Sequence, residues 1–139
     1  MEIAALIETL HKGNFSCVIY NHGAIMDCRE RGVKDLLYIL NTCPATLNGA
    51  IVADKVVGKG AAALMIVGGV RKIHAEVLSK PALNLLSSTD IIVSYGELVE
   101  NIINRSGTGI CPIEELCKEC RTAEECIPFI NQFVESQNK

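Results

Sequence analysis

The segment AIVADKVVGKGAAALMIVGGVRKIHAEVLS, residues 50–79, changes character twice along its length. Ala50–Ala53 is a short β-prone run, either a buried strand or an extended approach to a helix. Asp54 suits a helix N-cap, so a helix is expected over Lys55–Ile66, ended by Gly68 and Gly69. Arg71–Leu78 is strand-like again. Strand, helix and strand in that order imply a parallel β-α-β unit, and hence an α/β fold.

The flanks extend this pattern. Upstream, Ile3, Leu6, Ile7 and Leu10 lie on one face of a helix over residues 2–12. Phe15–Tyr20 and Ala24–Cys28 read as strands joined through Asn21, His22 and Gly23, residues that tolerate positive φ in a hairpin turn. Val33, Leu36, Leu37 and Leu40 mark a second amphipathic helix, and residues 41–49 a loop. Downstream, Ser79 can cap a short helix with Pro81 in its first turn. Asp90–Ser94 is expected to be a strand, followed by a helix near Glu97–Ile103. Arg105–Gly109 is a tight glycine loop, and Pro112 opens a further helix. Thr122 and Glu125 form a capping box for the last helix, whose face is Cys126, Ile127, Ile130, Phe133 and Val134. Pro128 must sit in its first turn or kink it.

With 139 residues, 49% hydrophobic and 21% charged, the chain is expected to form a single domain, 1–139. A net charge of −3 and few aromatic residues argue against a nucleic-acid surface. The longest apolar run, Ala61–Val70, is too short for a membrane span. No signal-peptide pattern opens the chain, so the seven cysteines are expected to be reduced thiols in a cytoplasmic protein.

Gly58 and Gly60 lie close together where a helix is expected to begin. Each disfavours a helix by roughly 0.5–1 kcal/mol relative to alanine. Close approach of another backbone, or of a ligand, would compensate. Lys55 and Lys59 add positive charge where free helix amides favour anions. The segment is not a P-loop: Ala53 stands where the first glycine belongs, and Gly60 where Ser or Thr belongs. Nor is it a dinucleotide fingerprint, because GKGAAA ends in Ala63. His74 and Glu76 form an HAE triplet, but strand alternation, not a helix start, carries them. Cys111, Cys117, Cys120 and Cys126 could bind zinc as thiolates; their spacing fits no standard finger, and core thiols are the commoner role. Cys111 precedes Pro112 and could cap a helix, a setting that lowers a thiol pKa, although Glu114 and Glu115 oppose this.

The strings ADKVVGKGAAAL, SKPALNLL and IINRSGTGICPIEEL, with the order of elements, resemble a family of uncharacterised prokaryotic proteins grouped with the cytidine-deaminase-like fold. The resemblance runs from about Phe15 to Phe133. It implies a three-layer α/β/α sandwich with a mixed sheet of about five strands. In zinc deaminases, metal ligands open two core helices. Here VVGK (Val56–Lys59) and, after Pro81, Ala82 and Leu85 stand at those places. The resemblance therefore implies a deaminase-shaped scaffold without the zinc motif, and no metal or other cofactor is expected.

The resulting expectation is a non-catalytic ligand-binding or regulatory protein for a small anionic or nucleotide-like molecule. Its pocket would be formed by Asp54, Lys55, Gly58 and Lys59, by Pro81, and by Gly107, Thr108, Gly109 and Cys111. The alternatives are an enzyme of other chemistry with Cys111 as nucleophile or redox thiol, a structural or partner-binding protein, and, behind them, a zinc-dependent deaminase. A homodimer through an exposed sheet edge or helix face is compatible with an open α/β sheet.

Overall fold

The computed structural model describes residues 2–29, 33–104 and 106–137. Helix α1 (Ile3–Lys12) is followed by strands β1 (Cys17–Asn21) and β2 (Ala24–Cys28), then α2 (Lys34–Thr42). Next come β3 (Ile51–Val57), α3 (Lys59–Gly68), β4 (Lys72–Ser79), α4 (Lys80–Ser87) and β5 (Ile92–Val99). Two helices, α5 (Pro112–Leu116) and α6 (Ala123–Gln137), complete the chain.

The strands form one mixed sheet in the order β2-β1-β3-β4-β5. β1 runs antiparallel to both β2 and β3, while β3, β4 and β5 are parallel. The β1–β2 turn places His22 and Gly23 at positive φ, as its composition requires. Ser79 caps α4 by accepting from the Ala82 N–H. Alternation along the strands separates the two sheet faces. Val18, Ile51 and Ala53 pack against Leu6 and Leu10 of α1. Ile19, Val52, Ile73 and Ala75 belong to the larger core shared with α2 to α6. α3 lies deepest there. Every residue from Lys59 to Met65 is buried, which is why its surface is built from glycine and alanine.

Two expected elements are corrected. The helix expected over Lys55–Ile66 starts only at Lys59, with Gly58 as its N-cap. Asp54 is not a cap: it lies inside β3, where Asp54, Val56 and Val57 pair with Ala75, Val77 and Leu78 of β4. β-Branched Val56 and Val57 favour this continuation. Nor does a helix begin near Glu97. β5 runs on to Val99, paired with Ser79. Gly96 permits close strand approach there, since a Cβ would stand 2.9 Å from the Glu76 carbonyl oxygen. Ile103 forms an isolated antiparallel bridge with Ile110. Of the expected glycine loop, Arg105 lies outside the described residues. Pro128 falls in the second turn of α6 rather than the first.

Candidate functional site: a basic cleft beside a thiol cluster

The start of α3 is the centre of the site. Its first amide, Lys59 N–H, donates to Glu114 Oε2 at 2.7 Å. The other oxygen of that carboxylate accepts from the Ile102 N–H at 2.9 Å. The helix amide expected to face an anionic ligand thus already holds an anion, supplied by α5. Glu114 is only 4% exposed. Gly58 and Gly60 are explained by the same packing. A Cβ on Gly58 would meet Ile102 at 3.0 Å and Glu114 at 3.3 Å, and one on Gly60 would stand 2.3 Å from Ile113 Cγ2.

The Lys59 side chain is 7% exposed. Its ammonium donates to the carbonyls of Cys120 at 2.6 Å and Lys118 at 3.3 Å. These carbonyls follow the end of α5, where backbone oxygens lack helical partners and attract a cation. The lysine thereby ties α3 to the α5–α6 connection.

A cleft of about 490 Å³ opens beside Lys59. Lys80, Pro81, Asn84, Leu85 and Ser88 form its α4 wall; Glu100 and Asn101 enter from the end of β5; Lys118, Cys120 and Arg121 close the third side. It therefore lies at the carboxyl ends of parallel strands β4 and β5, the usual ligand position in an open α/β sheet. Lys80 is paired with Glu100, leaving the balance of the lining positive.

Beside the cleft, Cys117, Cys120 and Cys126 converge, and Cys120 also lines it. All three are buried, and their sulphurs lie within 4.8 Å of one another. The hydrogen bond between Cys126 and Cys117 pushes the Cys126 thiol up and the Cys117 thiol down. Burial, reinforced by Cys126, pushes Cys120 up to about 11. The Lys59 charge acts on all three in the direction of thiolate.

Of the residues singled out in the sequence, the cleft brings together Lys59 and Pro81. The others lie elsewhere. Lys55 reaches Asn14 Oδ1, just ahead of β1, at 2.9 Å. Asp54 is buried beside Cys17, in register with it across β1 and β3. Burial raises its carboxyl to about 7, although the Val56 N–H and the Cys17 thiol oppose the shift. Gly107, Thr108 and Gly109 form an exposed turn in which the Asn104 carboxamide accepts from the Thr108 N–H. Cys111 stands half-buried at the N-cap position of α5 without a capping hydrogen bond from its side chain, and it does not line the cleft. His74 bonds to Ser94, and Glu76 pairs with His11 of α1. Both alternate onto the α1 side of the sheet, opposite the thiol cluster, so HAE and the CxxC pair do not assemble a deaminase centre.

Sequence reasoning missed Lys80, Asn84, Glu100, Asn101, Lys118, Arg121 and Glu114. Lys80 and Asn84 were recoverable, because they lie one turn apart beside Pro81 and share a helix face. Glu100 and Asn101 were hidden by the helix expected near residue 97. Glu114 carried no signal, since nothing local to α5 marks it as the cap of a helix far away in sequence.

A family model described as a domain of unknown function, DUF1893, matches residues 5–134. This chain belongs to the DUF1893 family. Its fold is similar to the solved structure of a DUF1893 family protein from Thermotoga maritima. The TM-score is 0.85 and the identity 29%, over 94% of this chain and 88% of that chain. No curated protein matches. The matched region of this DUF1893 protein runs from α1 into α6 and so includes the whole cleft and all three clustered thiols. Among the described residues, no helix is long and apolar enough to cross a membrane.

Proposed function

We propose that this DUF1893 protein is a ligand-binding or regulatory protein that takes a small anionic or nucleotide-like molecule in the cleft between α4 and the α5–α6 connection. The observation that carries this reading is the cleft lining, where, among the described residues, Lys59, Lys80, Lys118 and Arg121 outnumber the carboxylate Glu100. Lys59 is committed to backbone carbonyls and acts at long range, whereas exposed Lys118, which lies 3.8 Å from Glu115, and exposed Arg121 are placed to contact the anion directly. Ser88, Asn84 and Asn101 offer donors and acceptors for the remainder of the molecule. The α3 amides have no part in this version, because Glu114 takes the first of them. The same reading places the family in a cytidine-deaminase-like, three-layer scaffold, and the seven free cysteines suit a reducing, cytoplasmic setting.

A calorimetric screen of inorganic anions, nucleotides and nucleosides tests the idea. The expected result is binding of a phosphorylated compound that weakens about 10-fold in Arg121→Ala, the loss of roughly one charge-assisted contact. Arg121 is exposed, so the variant should fold normally. Absence of binding across the screen, or binding that Arg121→Ala and Lys118→Ala leave intact, defeats the proposal.

A further inference from the structure

We propose that Cys117, Cys120 and Cys126 form a three-thiolate site for a single thiophilic cation, Zn²⁺, adjoining the anion cleft through Cys120 and argued independently of whether that cleft binds anything. Three buried thiols on a helix seam can be plain core residues, and two observations argue for more. The first is convergence. Cys117 and Cys120 are brought together by their x-x spacing across the end of α5, and Cys126 comes from the first turns of α6, yet all three sulphurs meet within 4.8 Å. Zinc–sulphur bonds of about 2.3 Å at tetrahedral angles hold sulphurs about 3.8 Å apart. The closure required is thus about 1 Å at most, within the reach of side-chain rotation.

The second observation is the buried ammonium. Three thiolates around Zn²⁺ carry one net negative charge, which an apolar core would penalise. Lys59 is hydrogen-bonded to the carbonyl of Cys120, one of the proposed ligands. It supplies the compensating positive charge and fixes the backbone that presents the sulphur, the role of an outer-shell partner in a metal site. Cys120 also lines the cleft, so the fourth zinc position would be open to water or a ligand atom from that side. On binding, each thiol loses its proton to solvent as its sulphur–zinc bond forms, with no change of oxidation state. The Cys126 thiol gives up its bond to the Thr122 carbonyl.

The test uses the whole chain, purified with reductant, stripped with chelator and titrated with Co²⁺ as a spectroscopic stand-in for zinc. The expected result is one equivalent of Co²⁺ giving thiolate-to-cobalt charge-transfer absorption and the intense visible bands of four-coordinate cobalt. Zn²⁺ should bleach these bands and slow the reaction of three thiols with a disulfide reagent. Cys120→Ser should lower the charge-transfer intensity by at least about a third, the share of one of three sulphur ligands, and weaken Co²⁺ binding, while keeping its far-ultraviolet circular dichroism; Cys43→Ser, at an exposed thiol, should match the wild type in both. The proposal is overturned if the folded wild-type chain shows no charge-transfer band. Unchanged thiol reactivity with Zn²⁺ overturns it without reliance on any variant, and a band of full intensity in Cys120→Ser overturns it as well.

Discussion

Asp54 on β3 and Glu114 on α5 are both buried carboxylates, and the protein treats them in opposite ways. Glu114 presents its two oxygens to two main-chain donors from distant segments, Lys59 and Ile102. Asp54 accepts at 3.2 Å from Val56, only two residues along its own strand, and from the weak thiol donor of Cys17. One carboxylate fastens three elements together, at the start of α3, the segment after β5 and α5. The other sits in a pocket whose dominant influence is desolvation, which pushes its carboxyl up to about 7. The two buried carboxylates are thus distinguished by the origin of their donors, not by their degree of burial.

Glu114→Ala should give the largest effect. It leaves two main-chain N–H groups without that partner, the Lys59 one buried and the Ile102 one part-buried, and hydrogen bonds to a charged acceptor are each worth about 1.5–3 kcal/mol. A loss of about 3–6 kcal/mol in unfolding free energy is expected from urea denaturation. Glu114→Gln should recover part of this, because one oxygen still accepts while the amide nitrogen faces an N–H. A loss below about 1 kcal/mol in Glu114→Ala would mean that water replaces the carboxylate and that the fastening role is wrong.

Asp54→Asn should act with the opposite sign. The unfolded carboxyl titrates near 3.8 and the folded one near 7, so the folded state holds the proton more tightly between these values. Below about pH 4 both states are protonated and no penalty exists; above pH 7 the cost of burying the charge is fully present. Wild-type stability should therefore fall as pH rises from 4 to 8, by up to about 4 kcal/mol from this group. Asp54→Asn should remove that slope and be the more stable protein at pH 8. An unchanged slope, measured by denaturation across that range, would show that Asp54 remains ionised in the fold.

The comparison also shows how far the sequence reaches. Hairpin, caps and α/β alternation rest on local chemistry, and His22, Gly23, Ser79 and Gly69 behave as their residue types dictate. The errors at Asp54 and Glu97 have a common cause. Both β3 and β5 run beyond their obvious apolar cores because a parallel neighbour, β4, supplies hydrogen bonds to residues of mixed polarity. Local propensity cannot see that neighbour. The cleft suffers in consequence: Lys59 and Pro81 are legible beside helix starts, while Glu100 depends on where β5 ends. Cys117, Cys120 and Cys126 are visible as a pattern, but the convergence of their sulphurs belongs to the packing of α6 on α3. Glu114 is the extreme case, since its partners at positions 59 and 102 are assigned by tertiary structure alone.

The smallest effect expected is also the one that tests why Asp54 is not still more perturbed. Cys28, Cys17 and Asp54 occupy one cross-strand row, with Cys17 in register with both partners. The Cys17 thiol lowers the Asp54 pKa by donating to it, against the dominant effect of burial. Cys17 itself is pushed well above the usual thiol range, by its bond to Cys28 first and by burial next, so it remains a protonated donor. Cys17→Val keeps an apolar side chain of similar size and removes that donor, at a stability cost of about 1 kcal/mol. The Asp54 midpoint, followed by carboxyl-carbon NMR, should then move upward from about 7, by less than the shift burial itself produces. A downward movement would mean that the thiol does not favour the ionised carboxylate, and the donor role given to Cys17 would be wrong.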